Sequence, residues 1–425
     1  MKSKGKEATA LGFLIAFFLV VIFQAVFIIA SRPGDEPYVP DDGEFVSDGE
    51  TPSLTDAGEQ NPDADEQKPD AATITMGGDV MVYERKYTAA RTGDGTYDFT
   101  PFLSEFQGVL RADYNIINLE TPVDAFGENR RISSYPRFNA PREILPALKS
   151  AGVDLCNMAN NHCIDYGFDG LCETAGNVDS FGLERVGAYI SQEEAGKPFI
   201  RNINGINVGI VSYTWSLNGF SLPADKKFAV KMGAQRSTIP YMREGVRELK
   251  AAGAEFIIVS LHWGKEYSDT WVPEQPAVAK ALCEEGADVI MGHHSHSVQP
   301  IKKLRVTRED GQEREALVIY SLGNLFAYQK NVSKTDQGMV VSIKIERGDD
   351  GGVYLSDAYY IPTYLRVMNG KADADTFRLV QLGKLVRSGD ASEKEKQAYN
   401  RVRGIIGDEI PCYDDISDVP DEFYN

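Results

Sequence analysis

The chain is 425 residues long, with 42% hydrophobic and 10% aromatic residues. That is the make-up of one large globular domain or two ordinary ones, and it excludes a fibrous chain. Its net charge is −19, and thirteen acids against the single Lys68 between residues 35 and 70 account for −12 of it, leaving −7 for everything else. No basic stretch stands out that would hold a nucleic acid. The five cysteines, Cys156, Cys163, Cys172, Cys283 and Cys412, are odd in number and form no C-x-x-C pair. Neither a disulfide framework nor a zinc knuckle is expected, and Cys163 reads as a small packing residue.

At the N-terminus, Lys2, Lys4 and Lys6 precede an uncharged apolar run over residues 8–30, long enough to span a bilayer as one helix. A cleaved signal peptide would have a shorter core and a small-residue cleavage site, so a retained anchor is the reading. The lysines keep residues 1–7 in the cytoplasm and place everything from Ser31 outside. Residues 31–71, rich in Pro, Gly, Asp and Glu, read as a disordered acidic linker.

A domain over 72–370 follows, in which strand-like and helix-like segments alternate. TITMGGDVM is a strand ending at Asp79, the spacing over 99–113 predicts a helix, and YNIINLETP is a strand ending at Glu120. A helix over 143–151 leads to the strand VDLCNMA, and another over 168–181 to a strand near Val186. The turn Asn204-Gly205 signals a hairpin. Helices near 242–252 and 276–285 lead into the strands EFIIVSLHW and DVIM. Beyond them IKKLRV, REALVIYSLGNLF, GMVVSIKIER and GVYLSDAYYIPTYLRV read as antiparallel strands. Two helices and an acidic tail complete residues 371–425. Two sheets flanked by helices fit both halves.

The chemistry gathers at the strand ends. All five histidines sit just after apolar runs: His162, His262, His293, His294 and His296. An H-x-H pair in an extended segment points both rings to one side. Asp79, Glu120, Asn161, His262, His294 and His296 together make a mixed N/O donor set suited to one or two divalent ions such as manganese, iron or zinc, with Glu120 able to bridge. Two such ions would activate water.

The segments GGDVM, NLETPV, NNHCIDYG, HWGKEY, GHHSHSVQP and YSLGNLF, in that order from Thr73 to Phe326, resemble the capsule-synthesis CapA family. That family is associated with poly-γ-glutamate capsules and is similar in fold to calcineurin-like metallophosphoesterases. The resemblance implies an α/β four-layer αββα sandwich preceded by one transmembrane helix. It further implies Asn161, His262 and His294 around one ion, Asp79 and His296 around the other, Glu120 between them, and His162 as the outer acid. Two positions depart from the superfamily pattern: Met81 stands where a second ligand histidine is usual, and Glu120 where an aspartate is. A thioether is a poor ligand for such ions, so the Asp79 site is expected to be the weaker.

Other residues are read two ways. Asp165 either orients His162 or caps the following helix. Arg130, Arg131 and Arg137 either bind a polyanion or are solvated charge, and Asn324 either lies by the site or makes a turn. The leading functional reading is a membrane-anchored extracellular metal-dependent hydrolase, cutting a phosphoester or amide bond. It would serve the synthesis, export or anchoring of an anionic capsule or wall polymer such as poly-γ-glutamate, with the cytoplasmic membrane and capsule synthase subunits as partners. Its rivals are a non-catalytic scaffold that guides polymer and a secreted phosphoesterase. The presence of both Asn161 and His162 favours the enzyme. Protease added to intact cells whose wall admits it is then expected to cut the acidic linker and release the folded unit; full protection of that unit would refute the outside placement.

Overall fold

In the computed structural model, residues 71–424 are described, except 127–130, 310, 330–331 and 369–375. The expected cytoplasmic tail, anchor and nearly all of the acidic linker lie outside the described residues, as does Arg130. Among the described residues, no helix is long and apolar enough to cross a membrane.

The apolar runs become strands β1 (Ala71–Val80), β2 (Tyr114–Leu119), β3 (Leu155–Asn157), β4 (Glu184–Val186), β5 (Phe199–Ile203), β6 (Ile206–Thr214), β7 (Phe256–His262), β8 (Val289–His293), β9 (Ile301–Thr307), β10 (Glu313–Ile319), β11 (Asn324–Phe326), β12 (Gln337–Arg347), β13 (Val353–Met368) and β14 (Thr376–Gln381). One sheet runs β14-β13-β12-β1-β2-β3-β4, with β11 paired to β1, and the other runs β5-β6-β7-β8-β10-β9. β1 to β4 are mutually parallel, as are β6, β7, β8 and β10. Parallel strands bring their C-terminal ends to one edge of a sheet, which is where open α/β sheets place their sites.

The period-two pleat divides the core. Ile74, Ile116 and Leu155 of the first sheet meet Ile258, Met291 and Ile319 of the second in one cluster between the sheets. Their neighbours point outward. Ile117 and Cys156 pack under Leu145 and Leu148 of the helix Ile144–Ser150 and under Leu171 and Val178 of the helix Gly167–Ser180. Val259 and Ile290 pack under Met242 and Val246 of the helix Ile239–Ala251 and under Val278 and Leu282 of the helix Gln275–Glu285. Both central strands β7 and β8 are buried throughout, as strands covered on both faces must be.

Three expectations change. The helix over 99–113 shrinks to Thr100–Leu103 and a 3-10 turn at Ser104–Phe106; Gly108, at φ 81, takes a conformation no helix continues through. REALVIYSLGNLF is two strands in different sheets, because the chain leaves β10, turns at Gly323 with φ 68, and joins β11 to β1 in parallel. Residues 371–425 contribute β14 to the first sheet besides the helices Leu382–Ser388 and Glu393–Ile406. The tail then returns along β13, with Tyr360 N–H donating to Pro411 O at 2.9 Å and Tyr413 N–H to Tyr360 O at 3.0 Å.

The crossing of β11 requires close backbone approach. A Cβ at Gly78 would stand 2.0 Å from Gly323 O, next to the bond from Asp79 N–H to that same oxygen. Gly78→Ala is therefore expected to cost about 1–3 kcal/mol by overpacking, read as a lower urea midpoint with unchanged slope; an unchanged midpoint would contradict this packing.

Candidate metal centre

Asp79 is carried at the end of β1, Glu120 just beyond β2, Asn161 beyond β3, His262 at the end of β7, and His294 and His296 beyond β8. All six are buried. His262 Nε2 lies 2.8 Å from Asn161 Oδ1, 3.1 Å from His294 Nδ1 and 3.4 Å from Glu120 Oε1. His296 Nδ1 lies 3.2 Å from Asp79 Oδ2, and its Nε2 lies 3.8 Å from Glu120 Oε1. Glu120, His262 and His294 form one group, and Asp79, Glu120 and His296 another, with ligand atoms within 4.8 Å of one another. Ligands held about 2.0–2.2 Å from a divalent cation stand roughly 3 Å apart, so these spacings fit a shared ion. Glu120 belongs to both groups, as a bridge must.

The fit rests on unmet chemistry. Asp79 Oδ2 and Glu120 Oε1 are buried and make no hydrogen bond of acceptable geometry, whereas their sister oxygens are tied down. Asn118 Nδ2 donates to Asp79 Oδ1 at 2.8 Å and to Glu120 Oε2 at 3.3 Å, and His293 Nδ1 lies 3.1 Å from Asp79 Oδ1. Asn118 Oδ1 in turn accepts from Asn157 Nδ2 at 3.1 Å. One oxygen of each carboxylate is thus fixed by protein and the other aimed inward without a partner, the arrangement that outer hydrogen bonds give to metal ligands.

Charge follows the same division. Burial drives the His262 and His294 imidazoles well below their usual range, which leaves them in the neutral, ligating form. Burial also opposes ionisation of Asp79, but contacts with His293 and His296 outweigh it and hold that carboxyl well below its usual range. Glu120 is pushed upward by burial and by the charge of Asp79. Burial works against a charged His296, yet Glu120 and Asp79 outweigh it and push the imidazole up to about 9.

The other residues singled out in the sequence are placed as follows. His162 Nδ1 lies 2.9 Å from Asp165 Oδ2, which also accepts from Phe138 N–H at 2.7 Å. The helix that follows, Gly167–Ser180, has Tyr166 as its N-cap residue and no side-chain cap, so Asp165 contacts His162 and does not cap that helix. Asn324 Oδ1 lies 3.1 Å from His296 Nδ1, while its amide nitrogen is tied to Gln329 Oε1 and Thr335 O, so its oxygen faces the site. Arg137 lines the adjoining cleft, with Nε donating to Asp165 O at 2.7 Å. Arg131 lies over Phe126 and outside that lining. Met81 packs with Phe138 and Ala327, and its sulfur accepts from Gln329 Nε2 at 3.8 Å.

The H-x-H pair is not extended: His294 and His296 have φ 91 and 52. Such conformations are uncommon outside glycine and collect at functional sites. Sequence reasoning passed over Asn118, Asn157 and Asn218, and named His293 among the strand-end histidines without giving it a role. Asn218 Oδ1 accepts from Asn161 Nδ2 at 3.0 Å, which turns Asn161 Oδ1 toward His262. His293 had a signal, since it ends an apolar strand as the other histidines do; an asparagine before a glycine, as at Asn218, signals only a turn.

Residues 73–329 match the family profile described as bacterial capsule synthesis protein PGA_cap. The chain is 27% identical over 287 residues to the PGA biosynthesis protein CapA of Bacillus subtilis (strain 168), covering 66% of this chain and 70% of that one. To the capsule biosynthesis protein CapA of Bacillus anthracis it is 27% identical over 290 residues, covering 67% and 66%. It thus spans about two thirds of the length of these relatives. Among solved structures, the NAD nucleotidase NadN of Haemophilus influenzae overlaps 81% of this chain and 64% of its own at TM-score 0.41 and 12% identity, a likeness too weak to inform the site.

The two halves of the centre are expected to bind manganese with different proton release. Glu120 is common to both, but a cation at Asp79 and His296 also displaces the proton that His296 holds, so affinity there should strengthen as pH rises toward about 9. At His262 and His294, already neutral, it should change less. Calorimetric titration of the full chain in buffers of different ionisation enthalpy separates the two; equal proton release at both would contradict the assignment.

Proposed function

The chain belongs to the bacterial capsule synthesis protein family, and from that premise we propose that it is a metal-dependent hydrolase serving the synthesis, export or anchoring of an anionic capsule or wall polymer such as poly-γ-glutamate. The fold reading that goes with it is the four-layer metallophosphoesterase-like sandwich. The observation that carries the proposal is the convergence of two ligand groups on Glu120. With residues 8–30 as anchor and the acidic stretch as tether, the hydrolase would stand outside the cytoplasmic membrane beside the synthase subunits it serves.

Asn161, His262, His294 and Glu120 would hold one cation, and Asp79, His296 and Glu120 the other, with Asn324 Oδ1 at hand. Bound divalent ions supply Lewis-acid polarisation of the scissile group and ready generation of hydroxide at neutral pH. The chain's own contribution to proton movement is His162. Its Nδ1 is held by Asp165 and its ring is set edge-on to Phe138 at 4.8 Å between centroids, which leaves Nε2 as the atom through which a proton passes to a leaving group. Asn218 Nδ2 stands 3.3 Å from that nitrogen, and Asn218 Oδ1 accepts from Asn161 Nδ2, so one asparagine touches both His162 and Asn161. Phosphoester and amide bonds both fit this machinery.

Three preparations of the full chain test the reading: the parent, His294→Ala and His162→Ala, each assayed for bound metal, melting temperature and turnover of a phosphodiester and of a γ-glutamyl amide. His294→Ala is expected to lose metal and turnover together. His162→Ala is expected to keep its metal and melting temperature while turnover drops by about a hundredfold or more. A metal-loaded parent that turns over neither substrate would favour the non-catalytic scaffold.

A further inference from the structure

Over the metal centre opens a cleft of 910 Å³ whose lining includes His162, His296 and Met81. Its walls are aromatic to a degree the capsule reading does not ask for. Tyr135, Phe220 and Tyr267 line it while keeping 74%, 40% and 40% of their surface exposed. Trp215, 38% exposed, stands edge-on to His294 at 5.6 Å beside them. Aromatic rings this exposed, gathered around one buried polar centre, mark a recognition surface, because scattered exposed rings would not converge.

The backbone places them at a cost. Tyr267 has φ 60, an outlier for a bulky side chain, held by its N–H donating to Ser295 O at 2.7 Å inside the histidine loop. Its ring is thereby tilted 32° over His296 at 6.0 Å. Strain maintained in this way beside a site points to a function for the ring.

The polar groups of the lining complete the description. Apart from the histidines, Arg137 is the one cation among the described residues that line the cleft, and its guanidinium lies 5.0 Å from the Phe220 ring. The rest are uncharged hydroxyl and amide groups, Ser216, Asn218 and Gln329 among them, with one acid, Glu266. A ligand with a carboxylate on every unit would set repeated negative charge against Glu266. A hydroxyl-bearing ring with one anionic group matches each part: C–H faces on the aromatic quadrupoles, hydroxyls on the amides, and the anion between Arg137 and the metal centre.

We propose that the group bound in this cleft is a saccharide ring carrying a single phosphate-type anion, stacked on Tyr135 and Phe220, and not the repeating acidic backbone of a polymer. This rests on the reading of the buried centre as the substrate-binding metal site, and it deepens that reading by naming what the site takes: the sugar-linked end of an assembly intermediate.

The test is calorimetric binding to the manganese-loaded full chain. The probes are a hexose 1-methylenephosphonate, which has no hydrolysable P–O–C link, methylphosphonate as its ring-free counterpart, and a γ-linked glutamate oligomer. The hexose compound is expected to bind at least tenfold more tightly than methylphosphonate. Phe220→Ala and Tyr135→Ala, both at exposed rings whose loss leaves the core intact, should each shrink that ratio severalfold, with methylphosphonate affinity unchanged in Tyr135→Ala. A ratio near one, a ratio that survives both substitutions, or tighter binding of the glutamate oligomer would overturn the proposal while leaving the metal centre standing. Failure of either phosphonate to bind in a metal-dependent way would overturn the metal-site reading along with it.

Discussion

Two carboxylates, Asp79 and Glu120, are buried side by side, and the protein is arranged around the charge they bring. An ionised group costs several kcal/mol to bury without compensation, and here one oxygen of each carboxylate has no hydrogen-bond partner. The chain answers in two layers. Asn118, fixed by Asn157, binds the outer oxygens, and His262, His294 and His296 surround the inner ones. Parallel strands make this affordable, since they bring Asp79 and His262 at their ends, and Glu120, Asn161, His294 and His296 in the loops just beyond, to adjoining sheet edges. A divalent cation is the ligand that such an arrangement leaves room for.

The convergence of the six residues was legible because each lies at or close after an apolar run, and because the chain has only five histidines. The sandwich was legible for a related reason: runs of period two and the helical segments between them report burial directly, as with Ile116 facing the second sheet and Ile117 the helices. What could not be read depended on distant partners. Nothing local says that the chain after Ile319 changes sheets, because that step follows from Gly323 turning where Gly78 has no side chain to obstruct it. Asn118 and Asn157 look like ordinary strand residues and Asn218 like a turn former until their side-chain amides are seen, Asn157 holding Asn118 and Asn218 holding Asn161. The 99–113 segment had helical spacing, but the backbone turn at Gly108 overrode it.

The two halves of the centre differ in kind. Asn161, His262 and His294 offer mostly imidazole nitrogen and are already neutral, whereas Asp79 and Glu120 offer oxygen beside the protonated His296. Imidazole suits zinc, iron and nickel, and carboxylate suits manganese or magnesium, so the halves need not prefer the same metal. Met81, where the resemblance leads one to expect a histidine, accentuates the difference by leaving His296 as the imidazole of the second half. Its sulfur is occupied by Gln329, and the same glutamine holds the Asn324 amide.

The path of β11 has a mechanical side. His262, His294 and His296 ride on the six-stranded sheet, whereas Asp79, Glu120 and Asn161 ride on the eight-stranded one. Sliding one sheet across the other would pull the donor set apart, and the apolar contact between sheets, being non-directional, offers little resistance to such shear. β11 leaves one sheet and hydrogen-bonds into the other within a few residues of Asp79. It acts as a cross-tie at the point where slippage would be felt most, so the spacing between donors from the two sheets is set by backbone and not by packing alone.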